Sequence, residues 1–122
     1  MGFPNSMQSS GNVAIVAGSI VHTSGGGITG TTGEGFSAAV SSGVFTITLD
    51  RQYDGLISAT ATVQNASPAT GEASVAVVTA ATVTADTDGA SIVIKCVDDD
   101  GVVDTNTDAH SIHFLFVLKE DT

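Results

Sequence analysis

The residues best suited to chemistry in this sequence are five aspartates that lie close together. Asp98, Asp99, Asp100, Asp104 and Asp108 fall within eleven residues. Calcium takes about six to eight oxygen ligands, and a loop of carboxylates supplies such ligands. The segment lacks the ligand spacing and the closing glutamate of an EF-hand loop. Two interpretations therefore stay open, a loose calcium site and a solvated loop that mutual repulsion keeps extended.

The histidines and the single cysteine form no recognisable metal or nucleophile pattern. On a strand, His110 and His113 point to opposite faces because side chains alternate, so they are not expected to share a zinc ion. Cys96 is in phase with Ile92 and Ile94 of an apolar run, which predicts a buried side chain. The sequence contains neither a nucleophile elbow nor a Walker loop. We therefore expect no enzymatic activity and no cofactor.

The net charge of the chain limits the kinds of partner that it is expected to bind. The chain has 122 residues with thirteen acids against three bases, which gives a formal net charge of −10. Nucleic-acid binding needs clusters of Lys and Arg, but Arg51, Lys95 and Lys119 are far apart in the sequence. An anionic membrane is disfavoured for the same reason, and no apolar run reaches the ~18 residues of a membrane helix. We expect neither nucleic acid nor membrane as a partner.

The elements that must position these residues are predicted to be strands. No segment has the spacing of an amphipathic helix, whereas Val44 to Leu49 alternates between apolar and mixed faces. Strands are predicted at 12–23, 36–40, 44–49, 56–64, 72–85 (one strand or two), 91–97 and 111–119, with a Gly/Thr loop over 24–35 and Gly18 as a bulge. Seven or eight strands with turn signals about every 8–12 residues predict an all-β antiparallel sandwich, jelly-roll-like and without substantial helix.

The chain divides into an arm and one domain. Residues 1–11 are rich in turn formers and are predicted to be a flexible N-terminal arm, with Phe3, Pro4 and Met7 as apolar anchors for a partner. A frayed terminus is the alternative. Residues 12–122 are predicted to form a single β-sandwich domain. Because residues 1–11 do not resemble a signal peptide, we expect synthesis in a cytoplasm without export.

The surface composition predicts self-association. Charged residues are only 13% of the chain, against ~25% in typical soluble domains. Ala, Val and Thr occupy both faces of several predicted strands, which indicates that both faces are covered. Packing of one subunit against another would cover them and would also hide strand edges.

The rhythm of glycine, aromatic and β-branched residues resembles a module of bacteriophage virion proteins. The resemblance is carried by Gly35-Phe36-Ser37, by Gly43 to Leu49, by Tyr53, by Leu56 to Ala61, and by Asp100-Gly101 through Asp108 into Ile112 to Phe116. It spans about residues 12–118. In that family the module is a trimeric, jelly-roll-like β domain, found as capsid decoration proteins and as heads of tail fibres.

The resemblance implies two functions. The first is a capsid decoration (cement) protein, a homotrimer that binds the major capsid protein on the outer surface of the virion and stabilises the shell. The alternative is a tail-fibre head that recognises host surface glycans. The sequence departs from fibre tips, which often have Pro and Val after the Tyr turn. It also has no collagen-like or coiled-coil stem, so we expect the decoration role.

Overall fold

The computed structural model describes residues 13–23, 27–65, 75–84, 90–98 and 110–120. Eight strands and no helix are present in these ranges. In chain order they are β1 (Val13–His22), β2 (Ile28–Gly33), β3 (Phe36–Ser41), β4 (Val44–Leu49), β5 (Gly55–Gln64), β6 (Val75–Thr82), β7 (Ser91–Val97) and β8 (His110–Lys119). The prediction of an all-β chain with seven or eight strands is confirmed.

The strands form two antiparallel sheets of four strands each. The first sheet has the order β2-β1-β8-β5 and the second has the order β3-β4-β7-β6. Strands β1 and β8 pair over their whole length, from Val13 opposite Lys119 to His22 opposite His110. The first and last strands of the described chain are therefore the two central strands of the first sheet.

One apolar core lies between the two sheets. Along β4, β7 and β8, alternate side chains are buried, which is the pattern expected of strands with one covered face. Fifteen buried residues form the core: Val16, Ile20, Phe45, Ile47, Leu49, Tyr53, Val83, Ala90, Ile92, Ile94, Cys96, Ile112, Phe114, Phe116 and Leu118. The predicted burial of Cys96 is confirmed, and the last strand contributes Ile112, Phe114, Phe116 and Leu118 to the core.

A glycine pair in the first sheet makes room for an aromatic ring of the second. Gly18 and Gly33 face each other across β1 and β2. A Cβ atom on Gly18 would lie 2.6 Å from the Phe36 ring and 2.5 Å from the Thr32 carbonyl oxygen. Phe36 also packs edge-on against Phe114, with ring centroids 4.9 Å apart. The expectation of a bulge at Gly18 is wrong, since the β1–β8 register is continuous there. The glycine serves close packing.

Two segments differ from the predicted strands. The Gly/Thr segment predicted as a loop contains β2. Residues Gly30 to Gly33 pair with β1 through their backbones, and this pairing does not require alternating apolar side chains. Strict alternation would place Ile57 on the same face as Ala59, Ala61 and Val63, but Ile57 is 57% exposed whereas those three are half-buried. A register shift between Leu56 and Ser58 explains this, because Leu56 takes the inward position opposite Leu118.

Two register irregularities lie in β5 and β6, and another lies in the pairing of β1 with β2, between Val21 and His22. The shift in β5 lies between Leu56 and Ser58, and a second shift in β6 lies between Val78 and Ala80. Both strands are the outermost members of their sheets. A bulge twists an edge and makes continuous pairing with another strand harder. These two edges are therefore poor places for a second chain to add a strand.

Candidate functional surfaces

Negative charge is separated from the sheets. None of the eight strands contains an acidic residue, so all thirteen acids lie between the strands or beyond them. Only two strand residues are basic, Lys95 in β7 and Lys119 in β8. The side chains that the eight described strands present on the two outer faces therefore include no acid, in a chain whose net charge is −10.

The outer face of the first sheet has an apolar half. Ile15 lies opposite Val117, and Ala17 lies opposite Leu115, so the four side chains form one block across β1 and β8. Ile15 is 55% exposed and Leu115 is 42% exposed. Thr60 of β5 extends the block beyond Leu115. Large side chains in such a contiguous apolar patch typically mark an interaction surface.

The other half of this face is polar but carries no acid. Ser19 and Thr62 flank His113 on its two neighbouring strands. The His113 ring lies 2.6 Å from the Gln64 side-chain oxygen, measured from Nε2. The predicted opposite orientation of His110 and His113 is confirmed, since His113 is exposed and His110 is buried.

The outer face of the second sheet is also rich in valine, but a cation lies within it. Lys95 is opposite Val44 on one side and Val77 on the other. Val75 is 51% exposed and Val77 is 41% exposed. A surface that covered this face would have to bury the Lys95 ammonium or supply an acid for it.

A polar cleft lies at one end of the sandwich, next to the loop between β4 and β5. It has a volume of about 350 Å³ and is lined by Arg51, Gln52, Tyr53, Asp54 and Thr84. The Arg51 guanidinium lies 4.9 Å from the centre of the Tyr53 ring. Its Nη1 atom also donates to the Glu120 carboxylate at 2.7 Å. Hydrogen-bonding groups and one aromatic ring are the components of a small-molecule site.

Sequence reasoning missed a buried histidine pair. His22 and His110 face each other in the β1–β8 ladder, and their ring centres are 4.8 Å apart. Both rings pack edge-on against Phe45, at 5.4 and 6.3 Å. The signal was in the sequence, because His22 is in phase with Ile20 and His110 is in phase with Ile112. The pair fills one end of the core.

The residues predicted as sites fall largely outside the described ranges. Phe3, Pro4 and Met7, and with them the predicted arm, lie there, as do Asp99, Asp100, Asp104 and Asp108. Asp98 is described and is half-buried just after β7. Within the described ranges, no three His, Cys, Asp or Glu side chains are grouped to hold a metal ion. The calcium hypothesis therefore stays a prediction.

Comparison with known proteins adds no relative. No protein-family model, curated protein or solved structure matches the chain. Within the part of the chain that the structure describes, no helix is long and apolar enough to cross a membrane. The surfaces described above therefore carry the functional argument.

Proposed function

We propose that this chain is a structural protein of a bacteriophage virion, a non-enzymatic capsid decoration protein that acts as a homotrimer. The observation that carries the proposal is the absence of acids from all eight strands of a chain with net charge −10. Copies of so acidic a protein repel one another, and the repulsion is weakest where the contact surfaces themselves lack negative charge. The two sheet faces meet that condition.

The shell contact is assigned to the arm. In this proposal Phe3, Pro4 and Met7 insert between subunits of the major capsid protein, while the sandwich adds buried area over the joint. Shell stabilisation then follows from mass action, because a ligand that binds only the assembled shell shifts the equilibrium toward it.

The test is binding to empty shells of the phage that encodes the chain, prepared without the protein. We expect co-sedimentation at a stoichiometry comparable to that of the shell protein, together with greater resistance of the shells to heat. Deletion of residues 2–10 should abolish binding and leave the mass of the oligomer unchanged. Undiminished binding of the deletion variant would show that the arm is not the shell contact.

The polar cleft favours a second candidate, a tail-fibre head that recognises glycans. Arg51, Gln52 and Asp54 offer donors and acceptors beside the Tyr53 ring, which are groups that hydroxyl-rich ligands need. Copy number separates the two functions, since a fibre head occurs only a few times per particle. Binding of the protein to purified host-surface glycan, lost in an Arg51→Ala variant, would favour the fibre head over decoration.

A further inference from the structure

We propose that copies of this chain associate through the outer face of the first sheet, at the block formed by Ile15, Ala17, Leu115 and Val117. This inference rests on the proposed self-association, and it names the surface through which the copies contact one another. The occupant is a further copy of the same chain, and in the proposed trimer each copy turns this face toward the shared axis.

Charge distinguishes the two faces. A second copy brings thirteen acids with it, but its first-sheet face brings none. The only strand cation of that sheet is Lys119, at the very end of β8, where Asp54 lies 3.9 Å from its ammonium. In contrast, pairing through the second sheet would bury Lys95, and neither sheet face offers an acid to neutralise it. An unpaired buried charge is strongly unfavourable.

The apolar content favours the same face. Among the described residues, six large hydrophobic side chains are exposed, and four of them belong to strands of the first sheet: Ile15, Val21, Ile57 and Leu115. The apolar block is bordered by Thr60 and His113 on one side and by Lys119 at the end of β8. An apolar centre within a polar rim is the usual arrangement of a protein interface.

The area is adequate for a stable contact. Three strands of ten residues and one of six build the first sheet. With strands about 4.8 Å apart and a rise of about 3.3 Å per residue, the face covers on the order of 600 Å². Each copy that turns the whole face toward its neighbours would bury on the order of 600 Å², which is what each partner contributes at the lower limit of stable protein interfaces. The face suffices for association without help from the strand edges.

The experiment compares two matched pairs of substitutions by light scattering. Leu115→Glu places an acid on the proposed interface, and Val77→Glu places the same acid on the second sheet at nearly equal exposure, 42% against 41%. Ala17→Glu and Ala39→Glu form the second pair, since both alanines are exposed. We expect the first member of each pair to be monomeric and the second to keep the wild-type mass. Circular dichroism and cooperative thermal unfolding establish that each variant is folded.

A measurement on the unsubstituted protein covers the case in which a variant does not fold. In methyl NMR spectra, a soluble paramagnetic agent should broaden the signals of Val77 and spare those of Leu115. The choice of face would be overturned if Val77→Glu or Ala39→Glu dissociated the oligomer while Leu115→Glu and Ala17→Glu stayed oligomeric. That result would leave the proposal of shell decoration unaffected. A monomeric wild-type protein would also overturn the choice of face. The decoration function is tested separately, by binding of the protein to empty shells.

Discussion

Gly18 of the first sheet packs directly against the Phe36 ring of the second sheet, and this makes the position sensitive to a single methyl group. We expect Gly18→Ala to lower the free energy of unfolding by about 1–3 kcal/mol, because the new Cβ would overlap the Phe36 ring and the Thr32 carbonyl oxygen. Urea denaturation measures the effect. The ring must tilt or the strand must shift, and either change also disturbs the contact between Phe36 and Phe114.

Gly30 provides the matched control for this substitution. It lies on the neighbouring strand β2, and a Cβ atom there would meet nothing within 4 Å. Gly30→Ala should be neutral or stabilising by less than about 1 kcal/mol, because alanine loses less backbone freedom on folding than glycine. Equal stability of the two variants would show that Phe36 does not depend on the glycine pair.

Cys96 allows a second test at the scale of one residue. Its side chain is 1% exposed within the core, so a thiol reagent cannot reach the sulfur without local unfolding. We expect no labelling of the native protein and complete labelling in denaturant, followed by absorbance of the released chromophore. Fast labelling under native conditions would place Cys96 outside the core.

At the scale of elements, the β3–β4 hairpin carries backbone strain at one position. Ser42 has a φ of 49° and Gly43 has a φ of 80°, so both central residues of the two-residue turn are left-handed. This is the backbone of a type I′ turn, which favours Asn-Gly. Ser42→Asn should raise the free energy of unfolding by about 0.5 kcal/mol, because Asn tolerates the left-handed region better than Ser.

Thermal unfolding of Ser42→Asn alongside Ser37→Asn measures the hairpin effect. Ser37 is exposed within β3, where Asn is a poor strand former, so this control should be neutral or destabilising. A stabilisation of the same size at both positions would attribute the gain to asparagine itself and not to the turn.

The sequence predicts some elements far better than others, for reasons that lie in the packing. Strands β4 and β7 have the predicted bounds, because both lie inside a sheet and alternate strictly between buried and half-buried positions. Strand β2 was missed because it is an edge strand of Thr and Gly, whose pairing depends on β1. The inward position of Leu56 was missed because a bulge changes the phase and leaves no mark in the composition.

The association face of the first sheet could be predicted from the sequence only in part. Composition indicates that Ala, Val and Thr faces are available for contact, but it does not say which strands share a sheet. Ile15 and Leu115 are a hundred residues apart in the sequence and become neighbours only through the β1–β8 pairing. The distinction between the two faces depends on Lys95, whose position among valines follows from the order of the second sheet.

At the scale of the whole molecule, the separation of acids from sheets predicts an unusual salt dependence. Association through an uncharged face gains from apolar burial and is opposed by repulsion between copies that each carry a net charge of −10. The Debye length falls from about 30 Å at 0.01 M to about 3 Å at 1 M salt, so added salt screens this repulsion. Sodium chloride should therefore strengthen self-association, as measured by sedimentation velocity across protein concentrations.

The direction of the salt effect identifies the forces at the interface. An interface held by ion pairs would weaken in salt, and dissociation of the oligomer at high ionic strength would contradict contact through the acid-free face. Leu115→Glu supplies an internal check, because its added acid increases repulsion at the contact itself. Salt should then partly restore association in this variant, while the lost apolar contact keeps it weaker than the wild type at every ionic strength.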